Sequence, residues 1–409
     1  MRKRILESCK RATSTEHYGS TATMKRLTVL ALAVSLASAS AQQNPNAGKS
    51  GALNPEALFK RLDKNADGFI AAEELPPQRR DNLKRLDKDG DGRISLAEHL
   101  AAMGSRPASP VTRTQSNAVP EGIEAKRDIA YADTDSPRQK LDLYLPTKRN
   151  SDKPLPVVVF IHGGGWKGGD KNGGLRNVAP YVSSGDYAGV SVGYRLTNEA
   201  KWPAQIHDCK AAIRWVRANA KAHGLDAERI AVWGSSAGGH LVSILGTSGD
   251  VKELEGRLGA HTDQSSRVQA VVNYFGPENF LTMVTQPSTV DRTTPDYPEA
   301  LLIGGRVQDM PEAAKLASPV TYISKDDPPF LTAHGTKDPL VPFAQAEELH
   351  AELKKVGASS VLITMKDAGH GFGSPELDSL VRRFLDKHLR SIDGDVKDAT
   401  LTSSPPRRN

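Results

Sequence analysis

Between Ile123 and Ile392, short uninterrupted apolar runs alternate with segments whose apolar residues recur every three or four positions. Leu155–Ile161 (L-P-V-V-V-F-I), Ala188–Val192 and Ile230–Trp233 are runs of the first kind, as are Val268–Tyr274, Pro329–Ala333 and Val361–Met365. Runs this short, apolar on both faces, predict buried strands. Cys209–Ala222 and the segments 344–356 and 375–389 carry helical spacing. Doubly buried strands separated by helices build a largely parallel sheet covered on both sides, so residues 123–392 are expected to form one α/β domain. The segment after Asp393 ends in T-S-S-P-P-R-R-N and is expected to be a disordered tail over 393–409.

Upstream the texture differs. Residues 104–122 are rich in Pro, Ser and Thr without apolar periodicity and read as a linker. Residues 50–103 hold two acidic, glycine-bearing segments between amphipathic runs. From Met24 the chain reads M-K-R-L-T-V-L-A-L-A-V-S-L-A-S-A-S-A: a basic start, a short apolar stretch and small residues at Ala39, Ser40 and Ala41. That is the order of a secretory signal cleaved after Ala41, with translation starting at Met24; a membrane span needs about 20 apolar residues. Residues 1–41 are therefore read as leader and signal, and the remainder as secreted or periplasmic, without a membrane span.

Composition changes little once the leader is set apart. The 409 residues carry a formal charge of +6, and almost all of that excess lies in the leader. The near-neutral remainder offers no basic patch for nucleic acid. Of two cysteines, only Cys209 follows the leader, so no internal disulfide is expected, and its helical setting suggests a buried structural thiol.

The acidic segments repeat one pattern. Asp63–Glu74 (D-K-N-A-D-G-F-I-A-A-E-E) offers oxygen ligands from Asp63, Asn65, Asp67, the Phe69 carbonyl and Glu74, with Gly68 sixth for the sharp turn. Asp87–Glu98 (D-K-D-G-D-G-R-I-S-L-A-E) repeats it with Asp87, Asp89, Asp91, the Arg93 carbonyl, Ser95 and Glu98. A hard cation such as Ca²⁺ takes six to eight oxygens in flexible geometry, which this spacing supplies. Ile70 and Ile94, both eighth, are placed to join the loops as a short strand pair. The segment resembles an EF-hand pair, which implies a small all-α calcium-binding module. The loops start closer together than in sensor pairs, and Pro76-Pro77 cuts the first exiting helix to about one turn. A stabilising or tethering role for calcium follows better than a sensor role.

Candidate chemistry in the α/β region centres on V-W-G-S-S-A-G-G-H (Val232–His240). A serine hydroxyl needs a base and oxyanion donors to act as nucleophile. The strained strand-to-helix elbow G-x-S-x-G fits one frame only, Gly234-Ser235-Ser236-Ala237-Gly238, which selects Ser236 over Ser235. A phosphate-cradling loop would end in Gly-Lys-Ser/Thr, which is missing. F-I-H-G-G-G-W (Phe160–Trp166) follows the strand upstream, and the backbone amides of Gly164, Gly165 and Ala237 are the expected oxyanion donors. His162 reads as a loop-orienting group, His240 and His334 as structural, and Trp166 either lines an acyl pocket or packs beneath the loop. H-G-T-K-D-P-L-V-P (His334–Pro342) places Asp338 past a strand, and D-A-G-H-G-F (Asp367–Phe372) places His370 past another. The order Ser236, Asp338, His370 is that of the α/β-hydrolase triad, with His370 shuttling the proton and Asp338 orienting it. Residues 279–312, lacking clear periodicity, are expected to cap the site.

Together, H-G-G-G-W, G-S-S-A-G-G, G-T-K-D-P-L-V-P and A-G-H-G-F resemble the α/β-hydrolase esterases of the hormone-sensitive-lipase-like group. K-G-G-D-K (Lys167–Lys171) and Q-K-L-D-L-Y-L-P (Gln139–Pro146) are similar to secreted carbohydrate esterases active on acetyl and feruloyl groups of xylan. The resemblance implies an α/β-hydrolase fold and hydrolysis of small-molecule or polysaccharide esters through an acyl-enzyme, with no catalytic cofactor. Two other readings are an arylformamidase-like amide hydrolase and a calcium-dependent binding protein with an inactive hydrolase domain.

Overall fold

A computed structural model of the chain describes residues 59–75 (without 61 and 66), 86–104, 118–249 and 251–403. The leader and signal expected over 1–41 and most of the linker expected over 104–122 lie outside these residues. The chain divides into two compact units, Met1–Thr112 and Arg113–Asn409.

In the first unit, β1 (Phe69–Ile70) pairs antiparallel with β2 (Ile94–Ser95), setting Ile70 opposite Ile94. The paired isoleucines are buried with Phe59 and Leu75 in a small core. The first loop exits into a single 3-10 turn, Ala72–Glu74, and the second into helix α1 (Leu96–Gly104). Residues 76–85, where the Pro-Pro break falls, are outside the described residues.

The second unit is built on a nine-stranded sheet. Its strands are β3 (Ile123–Ala130), β4 (Lys140–Pro146), β5 (Leu155–Ile161), β6 (Ala188–Val192) and β7 (Leu225–Ser235), then β8 (Ala270–Tyr274), β9 (Phe330–Gly335), β10 (Ser360–Lys366) and β11 (Ala399–Thr402). They lie in the order β11-β10-β9-β8-β7-β5-β6-β4-β3, parallel from β11 to β6 and antiparallel at the β4 and β3 edge. Alternation along β5 shows why both faces are apolar. Val157, Val159 and Ile161 enter a core shared with helices α3 (Ala204–Ala218), α4 (Ala237–Thr247) and α5 (Ala344–Lys355). Val158 and Phe160 enter the opposite core with α2 (Leu175–Val182) and α6 (Pro375–Arg390). Each such side chain contributes about 1.5–3 kcal/mol by leaving water.

Three strands depart from the apolar-run expectation. β3 (I-E-A-K-R-D-I-A) is a half-exposed edge strand with Glu124 and Asp128 exposed. β4 is buried but interrupted by Asp142, which is paired with Lys171 at 2.8 Å and Arg127 at 3.5 Å. The tail expected to be disordered over 393–409 instead contributes β11, which pairs in parallel with β10 and buries Leu401. Its own sequence, A-T-L-T, is too short to signal a strand; the exposed edge of β10 supplies the template.

Candidate active site

The parallel strands all end on one side of the sheet, and their trailing loops converge there. β7 runs into Ser236, whose φ of 54° and ψ of −122° place it at the start of α4 in a sparsely populated conformation. Such strain costs about 1–3 kcal/mol and must be enforced by its surroundings. The flanking glycines do this by permitting contact. A Cβ on Gly234 would stand 2.2 Å from the Gly238 carbonyl oxygen, and one on Gly238 2.1 Å from that of Ile161. The elbow is closed backbone against backbone, and no other residue type fits.

The loop after β10 carries His370, whose Nε2 lies 2.9 Å from Ser236 Oγ. Its Nδ1 lies 2.7 Å from Asp338 Oδ2, on the loop after β9. Asp338 is buried, and its Oδ1 accepts the amides of Leu340 at 2.8 Å and Val341 at 3.0 Å. Burial pushes the carboxyl up, but hydrogen bonds from His334 and His370 and the Leu340 amide outweigh it, so Asp338 sits well below the usual carboxylate range. Asp367 points elsewhere: it is exposed and pairs with Lys337 at 2.8 Å.

Residues 163–166 turn sharply after β5, with positive φ at Gly164, Gly165 and Trp166. Gly164 and Gly165 line the same cleft as Ser236, Ala237 and His370, a space of about 1060 Å³. Among the described residues, the Gly164 and Gly165 amides donate to no backbone carbonyl. Ala237 opens α4, where the first amides have no intrahelical acceptor. Gly163 has no individual role in the sequence motif, yet a Cβ there would meet the Ser235 carbonyl oxygen at 2.6 Å and Ser236 Cβ at 3.2 Å. It seats the loop directly on the elbow.

The remaining histidines hold the scaffold. His162 stacks on Tyr194 at 4.2 Å, accepts the Tyr194 hydroxyl on its carbonyl at 2.9 Å, and is pushed down to about 4 by burial. It orients the glycine loop as a neutral ring. His240 is buried, with Nε2 2.7 Å from the Ala317 carbonyl, and burial likewise lowers it to about 4. Trp166 is buried edge-on against His240 and Phe280 while bordering the cleft, so it both packs and lines. Cys209 is buried and its thiol is pushed up by burial, which leaves it inert. Part of 279–312 does reach the cleft, through Val290, Pro298 and Glu299. Ser288 and Thr289 strap this segment to the acid loop by donating to the Pro339 carbonyl at 3.1 and 2.9 Å.

In the N-terminal unit, Glu74 Oε1 accepts the Lys64 amide at 2.7 Å, and Glu98 Oε1 accepts that of Lys88 at 2.6 Å. Each twelfth-position carboxylate thus folds back to the head of its loop. Asp87, Asp89 and Asp91 bring carboxylate oxygens within 4.8 Å of one another. This oxygen-only group in the second loop fits a calcium ion, with the Arg93 carbonyl, Ser95 and Glu98 to complete the set, and the first loop carries Asp63, Asn65, Asp67, the Phe69 carbonyl and Glu74 at the equivalent positions.

Both units resemble known proteins. The chain is 33% identical to Esterase LipC of Mycobacterium tuberculosis over 60% of its own length and 60% of that protein's. It is 31% identical to Esterase LipQ of the same organism, over 65% and 63%. The chain thus spans less than two thirds of these relatives. Among solved structures, a truncated carbohydrate esterase from gut microbiota superposes with a TM-score of 0.60 at 31% identity, over 65% of this chain and 96% of that one. A Thermogutta terrifontis esterase gives 0.52 at 26% identity, over 65% and 92%. The EF-hand profile matches residues 56–75 and 80–98. The BD-FAE profile matches residues 141–353, more than half of the 409, and takes in the glycine loop, Ser236 and Asp338: the chain belongs to the BD-FAE family.

Proposed function

We propose that the chain is an exported serine carboxylic-ester hydrolase acting on short acyl esters, among them acetyl or feruloyl esters of plant polysaccharide. The observation that carries this reading is the continuous hydrogen-bonded line from Ser236 Oγ through His370 to Asp338 in a cleft bordered by the glycine loop. His370 takes the Ser236 proton as Oγ attacks the ester carbonyl, and the amides of Gly164, Gly165 and Ala237 receive the developing oxyanion. Protonated His370, held by Asp338, returns the proton to the leaving alcohol and leaves an acyl-enzyme. Water then attacks with His370 as base, and Ser236 is released with the acid.

The carbohydrate esterase among the structural neighbours supports a sugar ester as substrate. The signal-like segment from Met24 to Ala41 supports export, and the EF-hand loops support calcium in a stabilising role. The test is to incubate the purified protein with p-nitrophenyl acetate, acetylated xylan and methyl ferulate side by side. Hydrolysis by the wild type and none by Ser236→Ala is expected. A folded wild type inert on all three overturns the reading.

A further inference from the structure

The end of β8 supplies no member of the triad, yet it meets the elements that carry all three. The Tyr274 carbonyl accepts the Ser236 amide at 2.9 Å, and the Phe275 amide donates to the Ala333 carbonyl of β9 at 2.9 Å. The Phe275 ring lies against the His370 imidazole, with centroids 4.7 Å apart and planes at 62°. It also packs on Phe372 at 5.1 Å and approaches His334 at 6.4 Å.

Two features set Phe275 apart from an ordinary packing residue. Its φ of 43° lies in the left-handed region, a real outlier for a bulky side chain, where glycine would sit without strain. Such a conformation persists only where its surroundings enforce it. Gly276 does so: a Cβ there would stand 2.6 Å from the Gly239 carbonyl carbon and from the His240 nitrogen, so the chain turns directly onto the start of α4. The second feature is where the ring goes. Phe275 is 8% exposed, yet among the described residues it joins neither hydrophobic core of the sheet and borders the cleft instead.

The histidine loop has little else to fix its imidazole. Glycines flank His370 on both sides, and Gly371 has a φ of 136°. The ring is hydrogen-bonded at two points, to Ser236 Oγ and Asp338 Oδ2. One of these is lost during turnover. Once Oγ is esterified it has no proton to donate to Nε2, so Asp338 is the remaining polar anchor. In that state a water proton must pass to Nε2 as the water oxygen bonds to the acyl carbon. The same proton then goes to Oγ as the ester bond breaks and the acid leaves.

We infer that Phe275 is a positioning residue for deacylation: its ring holds the His370 imidazole in place while the bond to Ser236 is absent. In the free enzyme that bond shares the task, so acylation depends less on the ring. The inference rests on the esterase reading above.

The experiment follows p-nitrophenyl acetate by stopped-flow and steady-state kinetics in wild type, Phe275→Leu and Phe275→Tyr, after thermal melts establish that each is folded. Phe275→Leu is expected to lower kcat about tenfold. KM should fall with it, keeping kcat/KM within about threefold, while the burst of p-nitrophenol approaches one per active site. Phe275→Tyr keeps the ring and is expected to recover most of kcat. Should Phe275→Leu not fold, Phe275→Met, flexible and without a ring, takes its place in the same comparison. A raised KM at unchanged kcat would make the ring a cleft wall only. Equal losses in kcat and kcat/KM without a burst would make it a general support of the triad. Either result, no change at all, or a tyrosine variant as slow as the leucine one overturns the inference and leaves the esterase reading intact. A wild type that does not cleave the ester instead removes the esterase reading itself.

Discussion

His334 Nε2 lies 3.3 Å from Asp338 Oδ2, the same oxygen that His370 holds at 2.7 Å. The His334 ring is fully buried, and the same nitrogen lies 2.9 Å from the Val341 carbonyl. A carbonyl can only accept, so Nε2 carries the proton and leans it toward both oxygens. His334 is thereby a positioning residue, acting on the triad through its acid. Replacing it with Phe removes one of the donors that lower Asp338, so the carboxyl shifts upward. A depressed carboxyl contributes stability that is full above its unfolded value and lost as pH falls through its folded value. The acid-inactivation midpoint of His334→Phe is therefore expected at higher pH, with kcat down about tenfold and KM little changed. His334→Gln, which keeps a donor, should recover part of both. An unshifted acid profile in the Phe variant counts against the role.

Gly163 presents the opposite case, a residue that matters because it has no side chain. Its position presses on the Ser235 carbonyl and Ser236 Cβ, so Gly163→Ala must push the loop and the elbow apart by several tenths of an ångström. The Gly164 and Gly165 amides, one and two residues further along the chain, move with the loop. A loss of about 10²–10³ in kcat is expected, the range seen when one oxyanion donor is removed. Steady-state kinetics with p-nitrophenyl acetate measure it, and a kcat within a few-fold of wild type would mean that the loop adapts freely.

Ser235 and Ser236 both border the cleft, but only Ser236 reaches His370. Ser235 is the last residue of β7, and its carbonyl is committed to packing against Gly163. Ser236→Ala is expected to reduce kcat by at least about 10⁴-fold, and Ser235→Ala to retain most of it. Active-site titration with an aryl phosphonate that esterifies nucleophilic serines should label wild type and Ser235→Ala alike. Labelling of the Ser236→Ala protein would redirect the assignment to its neighbour.

What could be read in the sequence, and what could not, divides along physical lines. Doubly buried strands announce themselves as apolar runs, so the centre of the sheet and the elbow at its end were legible. Asp338 and His370 were legible because each follows such a strand within a few residues. β4 escaped because Asp142, neutralised by Lys171 and Arg127, breaks an otherwise apolar run. β11 escaped because its partner lies across the α6 helix in sequence, and a template edge leaves no trace in the strand that fills it. The Glu299–Arg292 pair escaped for a similar reason: nothing in the cap segment's sequence reveals that two of its charges are buried together.

The N-terminal loops yield a prediction that separates their role from catalysis. Glu98 accepts the amide and hydroxyl of Ser95, both at 2.9 Å, and the Lys88 amide at 2.6 Å. These bonds, the Ser95 amide foremost, lower its pKa from 4.5 to about 2. Because the folded value is depressed, the stabilisation is complete above 4.5 and lost as pH falls from there toward about 2. Calcium binding needs the same carboxylates ionised, so calcium affinity falls over that interval too. At neutral pH, calcium at about a hundred times its Kd adds about 2.7 kcal/mol to a unit that binds it only when folded. The first thermal transition of the full chain should rise with calcium and fall with EDTA, and Asp87→Ala should blunt the response. The triad draws no residue from the loops. kcat on p-nitrophenyl acetate is therefore expected to be unchanged by EDTA at a temperature below both transitions. A calcium-reversible loss of kcat under those conditions would show that the loops govern turnover and do more than stabilise.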